Sequence, residues 1–176
     1  AQGVDNIDAE AVDAPLEPEP QRADQILPHP GNPTLYERNV RDARTYVDLA
    51  IRANGSIPQP VDWPWPWGDA LELLRSAGCD ARIINLETSI TTSDDYVPGK
   101  AVHYRMNPAN VEALAPVRPD VCVLANNHVL DFGRRGLLET LDVLSAAELP
   151  SAGAGRSLHE ARSPASIPIS RNSAPV

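Results

Sequence analysis

Two short polar runs stand where an α/β protein does its chemistry. Asn85-Leu86-Glu87 closes the strand-like run that begins at Ala81, and Asn126-Asn127-His128 closes the apolar run Val121 to Ala125, with Asp131 and Gly133 just beyond. Ligands of open α/β sheets sit past the carboxyl ends of the strands, so polar residues at those ends are the first to inspect. If the two runs are parallel strands, both triplets lie on one edge of the sheet. Carboxylate oxygen, carboxamide oxygen and imidazole nitrogen together suit manganese, zinc, magnesium or iron. The same residues also have an ordinary use: Asn126 and Asn127 as loop caps, His128 as a packing group, and Glu87 as the cap of the turn Thr88-Ser89. Residue chemistry alone leaves the two readings level.

The elements that would position these residues follow from periodicity. Ala81 to Leu86 reads as one strand, and Val121 to Ala125 as a second, fully apolar strand of the kind covered on both faces. Between them, Asn107-Pro108 has the cap and first-turn chemistry of a helix running to about Ala115. A further helix, from Arg135 or Gly136 to Glu148, would bury Leu137, Leu138, Leu141, Val143 and Leu144 and lead into the small-residue stretch Ser151 to Gly155, a third strand. Ser166 to Ser170 is a further short strand candidate. Upstream, Leu35 to Ala53 has helical spacing and should end at Asn54-Gly55. Trp63-Pro64-Trp65-Pro66-Trp67-Gly68 is expected to be extended because of its prolines, forming a ledge for a helix from Asp69 to Ala77 that Gly78 closes. The order of strands and helices is that of an α/β layer architecture.

Composition sets the outer limits. The chain has 176 residues and is 42% hydrophobic, which suits one domain with a real core. Residues 1–21 carry Asp5, Asp8, Glu10, Asp13, Glu17 and Glu19 among Ala and Pro without aromatics, and are expected to form a disordered acidic tail ahead of a domain over 22–176. The formal net charge of −9 is largely the tail's. The body offers no basic footprint, so nucleic acid is not an expected partner. Cys122 lies inside an apolar run and Cys79 has no nearby partner, so neither reads as a nucleophile or a ligand. No apolar stretch approaches the about 18 residues that span a bilayer, and the N-terminus lacks the pattern of a signal peptide. A cytoplasmic location is the default expectation.

Five ordered segments resemble successive motifs of the CapA family, the poly-γ-glutamate capsule biosynthesis proteins. They are Ile84 to Ile90; Lys100 with Tyr104-Arg105-Met106; Leu124 to Gly133; Leu138 to Leu141; and Ala152 to Gly155 with Glu160-Ala161. The Asn127-His128 pair with Asp131 and Gly133 is also similar to the Asn-His motif of the wider metallophosphoesterase superfamily. The resemblance runs from about Arg22 to Pro164. It implies an α/β fold, here a partial metallophosphatase-like sandwich with an incomplete mixed or parallel sheet.

Carried over residue by residue, the resemblance makes Glu87 and Asn127 metal ligands. His128 becomes the proton donor or transition-state stabiliser, and Asp131 the group that orients it or closes the loop. A divalent metal would activate water against a phosphoryl centre. Arg105, in a family-like Tyr-Arg pair, would hold an anionic or phosphorylated substrate by a forked contact, or else make a surface ion pair. His29, His103 and His159 lack ligand spacing and read as structural or solvated. The sequence also departs from the pattern. The residues ahead of Ala23 do not match the family's opening Gly-Asp strand, and no downstream His motif is found. Two functions are therefore expected to compete: a metal-dependent phosphoester hydrolase-like protein of capsule synthesis, and a catalytically silent fragment or binding module.

Overall fold

The computed structural model describes residues 23–168, so the acidic tail expected over 1–21 lies outside the described residues. Helix α1 is Arg44–Asn54 and α2 is Ala70–Ser76. Strands β1 (Ile83–Asn85), β2 (Ser89–Ile90) and β3 (Arg105–Met106) follow, then a 3₁₀ helix over Pro108–Leu114. Strand β4 (Val121–Val123), helix α3 (Gly133–Ala146), β5 (Ser151–Ala152) and α4 (Leu158–Arg162) complete the order.

The main sheet has the order β1-β4-β5, all parallel, with Asn85 opposite Val123 and Val123 opposite Ala152. Parallel pairing brings the chain past β1 and the chain past β4 out on the same edge. A second parallel pair, β2 with β3, sets Ser89 opposite Arg105 and Ile90 opposite Met106. The mixed α/β architecture with short parallel sheets is that of a partial metallophosphatase-like fold. Central β4 is covered as expected at Val121 and Cys122, while Val123 is half-buried. Edge strand β1 is covered on one face only, where Ile84 packs against the core, while Ile83 is 64% exposed.

The core explains why these short strands hold. Leu86, Ile90, Met106, Leu114, Cys122, Leu124 and Leu144 form one buried cluster contributed by strands, the 3₁₀ helix and α3. Burial pushes the Cys122 thiol up to about 11, so it behaves as a small hydrophobe. Helix α3 is fastened to β2 by Thr140, whose hydroxyl accepts the Ile90 N–H at 2.9 Å and bonds the Gly136 carbonyl at 2.8 Å. Glu139 adds a clamp, accepting the Thr92 N–H at 3.1 Å and the Thr92 hydroxyl at 2.9 Å.

Four local expectations are corrected. Helix α1 begins at Arg44 and not at Leu35, because Pro33 to Ala43 closes on itself. Leu35 N–H donates to Arg41 O at 2.9 Å, Ala43 N–H to Pro33 O at 2.8 Å, and Thr34 bridges Asp42 antiparallel. Leu35 is buried there without being helical, since the fold supplies the burial that periodicity had attributed to a helix face. The tryptophan segment is not extended: Trp65–Trp67 makes a single 3₁₀ turn, in which a proline in the first positions costs no hydrogen bond. Its Trp67 Nε1 donates to Ala113 O at 2.6 Å, so the ledge serves the 3₁₀ helix. That helix was expected to be α-helical. Its cap is as read, with Asn107 Oδ1 accepting Ala109 N–H at 3.1 Å, but Asn110 is drawn sideways into bonds with Asp24 and His29. The strand expected at Ser166 is not formed over 166–168, and the rest of it lies outside the described residues.

Candidate functional site

The two polar triplets do meet. Asn126 is the stitch between them: its Nδ2 donates to Asn85 Oδ1 at 3.1 Å and to Leu86 O at 3.0 Å, while its Oδ1 accepts the His128 N–H at 3.0 Å. The Ser89 hydroxyl donates to His128 O at 3.0 Å from the β2 side. These bonds fix the loop after β4 against the loop after β1, which is the capping use of Asn126. Asn127 is exposed at the same edge, with its carbonyl accepting a bond from Lys100 Nζ at 2.5 Å.

His128 is 7% exposed and Asp131 is fully buried. The Nδ1 of His128 lies 2.7 Å from Asp131 Oδ2. A carboxylate only accepts, so Nδ1 carries the proton and the other ring nitrogen, Nε2, is presented to the surface edge. There it faces Glu87 Oε1 at 3.7 Å. Glu87 itself is half-exposed, steadied by a 3.0 Å bond from Asn85 Nδ2 to its other oxygen. The Tyr104 ring lies flat on the imidazole, with centroids 4.0 Å apart and planes within 16°.

Asp131 is the hub of this arrangement. Besides His128 it accepts the Tyr104 N–H at 2.6 Å and pairs with Lys100 through its other oxygen. Lys100 and Tyr104 were legible only as part of a family-like segment; nothing in their own spacing connects them to His128. The tertiary signal is that a fully buried carboxylate needs a cation, and Lys100 is the lysine the chain has.

Arg105 sits elsewhere. It is 3% exposed, and its guanidinium donates to Ser93 O at 2.8 Å, Asp94 Oδ1 at 2.7 Å and Asn32 O at 3.2 Å, with Phe132 beneath it at 4.7 Å. The hydrogen bond and charge of Arg105 hold the Asp94 carboxyl below its ordinary value, against a smaller opposing effect of burial. The geometry makes Arg105 a fastener between internal loops. Of the remaining histidines, His103 is buried with Nε2 on Val97 O at 2.7 Å, His29 is exposed beside Trp63, and His159 is exposed on α4.

The family resemblance implies a divalent metal ion, and the donor chemistry of this edge bears on it. Glu87 Oε1 and His128 Nε2 lie 3.7 Å apart, beyond hydrogen-bond distance, and a carboxylate oxygen beside an imidazole nitrogen is a donor pair that suits a divalent cation. Among the described residues no group of three or more His, Cys, Asp or Glu converges as a metal cage. Asp24, the carboxylate nearest the start of the described chain, is not a substitute ligand: it is 2% exposed and accepts bonds from Gly31 N, Asn107 N and Asn110 Nδ2.

A mixed α/β architecture with short parallel sheets is consistent with the metallophosphatase-like class. Residues 21–175 match the model of the family described as bacterial capsule synthesis protein PGA_cap, which has that fold, and the chain belongs to this family. It is 54% identical over 146 residues to a probable polyglutamine synthesis accessory protein of Mycobacterium tuberculosis, in the strains CDC 1551 / Oshkosh and ATCC 25618 / H37Rv. That match covers 83% of this chain and 38% of the relative. It is also 33% identical over 79 residues to the PGA biosynthesis protein CapA of Bacillus subtilis strain 168, covering 44% of this chain and 21% of that protein. The chain thus spans well under half the length of these relatives. No described helix is long and apolar enough to cross a membrane.

Proposed function

We propose that this chain supplies one side of a metal-dependent, phosphoester-directed site in a poly-glutamate synthesis protein of the CapA kind, and that the side it supplies is the proton-handling one. The observation that carries this reading is His128, gripped at Nδ1 by buried Asp131 and turned with Nε2 to the edge where Glu87 stands. With Nδ1–H held on Asp131, a proton taken up at Nε2 stands at that edge, where it can pass to a leaving oxygen or steady charge that develops there. Glu87 and Asn127 are the residues that would hold a divalent ion, which when bound would activate water and neutralise phosphoryl charge. Asn126 keeps the two loops in register, so that His128 and Glu87 approach the same ligand. The substrate reading is an anionic, phosphorylated group, recognised by the metal and His128 without help from Arg105.

Taken alone the chain is a weak metal binder. One carboxylate and one carboxamide are fewer and weaker donors than a two-metal site requires, since a carboxamide is a neutral ligand. The test is calorimetric titration with manganese and zinc, followed by turnover of a chromogenic phosphoester with each metal. We expect affinity no tighter than high micromolar, about −5 to −6 kcal/mol, lowered further by Glu87→Gln, and no turnover above a Glu87→Gln, His128→Ala control. Tight stoichiometric binding, with turnover that the double variant abolishes, overturns the weak-binder reading. Manganese affinity that Glu87→Gln leaves unchanged overturns the assignment of Glu87.

A further inference from the structure

We infer that Lys100, with Tyr104 at the other end of the same arm, is the positioning device for His128 and Asn127. This rests on the site read above and deepens it. Four contacts converge. The Lys100 ammonium bonds the Asn127 carbonyl at 2.5 Å and pairs with the outer oxygen of Asp131. The Tyr104 N–H holds the inner oxygen of Asp131 at 2.6 Å, the same oxygen that takes the His128 Nδ1–H. The Tyr104 ring covers one face of the imidazole at 4.0 Å.

Each contact removes a freedom from the site. Lys100 fixes the peptide between Asn127 and His128, so both side chains leave the loop in set directions. It also supplies the positive charge that a fully buried Asp131 requires, and the two bonds on the inner oxygen then fix the plane of the carboxylate. Tyr104 blocks the ring from swinging away from Glu87. The arm is itself anchored, because Val97 N–H donates to Asp131 O at 2.9 Å and Val97 O meets His103 Nε2 at 2.7 Å. Lys100 acts through Asn127 and Asp131, in the way outer partners orient metal-binding and proton-transferring groups.

The experiment uses the whole chain in three forms: unaltered, Lys100→Met and Lys100→Arg. The first readout is the tautomer and solvent exchange of the His128 ring by ¹H–¹⁵N NMR at one fixed neutral pH, without metal. We expect a single slowly exchanging Nδ1–H form in the unaltered chain and in Lys100→Arg, and mixed tautomers with fast exchange in Lys100→Met. The second readout is manganese affinity, expected to fall about 10- to 100-fold in Lys100→Met, the usual loss on removing an outer partner. An unchanged His128 ring in Lys100→Met overturns the inference, whatever the metal does. Absence of manganese binding by the unaltered chain counts against the function proposed above, and the ring measurement still decides this one. Should Lys100→Met fail to fold, the unaltered protein gives the answer, because Lys100 is the only lysine in the sequence. Reductive methylation at Lys100 should run at least 10-fold slower in the folded chain than in urea. Equal rates would show the ammonium to be unengaged and overturn the inference.

Discussion

Replacing Asp24 by Asn tests how the start of the described chain is locked to the layer beneath the site. Asp24 is 2% exposed and its carboxylate accepts three hydrogen bonds, from Asn107 N at 3.0 Å and Asn110 Nδ2 at 2.5 Å on one oxygen and from Gly31 N at 2.9 Å on the other. A carboxamide keeps one acceptor and converts the other into a donor. If its oxygen serves Asn107 and Asn110, its NH₂ meets the Gly31 N–H head on, leaving buried donors unsatisfied at a cost of about 1–3 kcal/mol. Part of that loss is offset, because Asn carries no charge to desolvate. Burial raises the Asp24 carboxyl above its ordinary value, and the bonds from Asn110, Asn107 and Gly31 pull the other way without cancelling it. We expect a net loss of about 1–2 kcal/mol, which for a chain of this length lowers Tm by about 2–8 °C. The pH dependence gives the sign. A carboxyl with a raised folded pKa contributes stability that is fully present below its unfolded pKa of about 3.9 and is lost as pH rises through the folded value. The unaltered protein therefore gains from Asp24 on acidification and Asp24→Asn does not, so the gap between them widens as pH falls from 7 toward 4. Urea melts followed by circular dichroism at several pH values measure it. A gap that narrows on acidification would mean that the bonds outweigh burial, and the reasoning would be wrong.

Four further outcomes are expected. Thr140→Val strands the buried Ile90 N–H that the hydroxyl now accepts at 2.9 Å, and should cost about 1–3 kcal/mol in urea melts, with Thr140→Ser costing less. Leu124→Asp puts an unpaired carboxylate at a fully buried position in the core cluster, at a cost comparable to the whole stability, and should give no cooperatively melting protein. Gly153→Ala and Gly55→Ala both force a side chain onto positive φ, at +91° and +90°, but only at Gly153 would the new Cβ meet Ala125, 2.8 Å from its backbone nitrogen. Gly153→Ala should therefore lower Tm clearly more than Gly55→Ala, and equal melting curves would rule out the close approach of the two segments. Arg105→Met should destabilise the chain by roughly 2–4 kcal/mol through loss of buried charge-assisted bonds, while leaving manganese affinity within about twofold, which calorimetry checks.

Much of the site was legible before the fold was known. Glu87 and the Asn126-Asn127-His128 loop were marked by polar residues following apolar runs, and the parallel register of β1 and β4 places both on one edge. Asp131, three residues beyond His128, was in view through the family resemblance, which implies that it orients the imidazole or closes the loop. Arg105 shows where such reading stops. Its residue type suits an anion equally well at a surface or in a loop core, and only the positions of Ser93, Asp94 and Asn32 decide between them.

The sequence by itself determined the order of β1, β4, α3 and β5, the two strand ends and the residues with chemistry at them, because hydrophobic period and polar punctuation act over a few neighbours; the two-residue strands β2 and β3 are too short to carry a period. It determined the end of α1 at Gly55 and the cap at Asn107 for the same reason. Tertiary structure alone decided that Leu35 is buried in a closed loop and not on a helix, that Asn110 is bound sideways by Asp24, and that Lys100 answers the buried charge of Asp131 from 31 residues away. A buried polar group must find partners wherever the chain brings them. Their identity depends on which loops meet, and no local pattern carries that information.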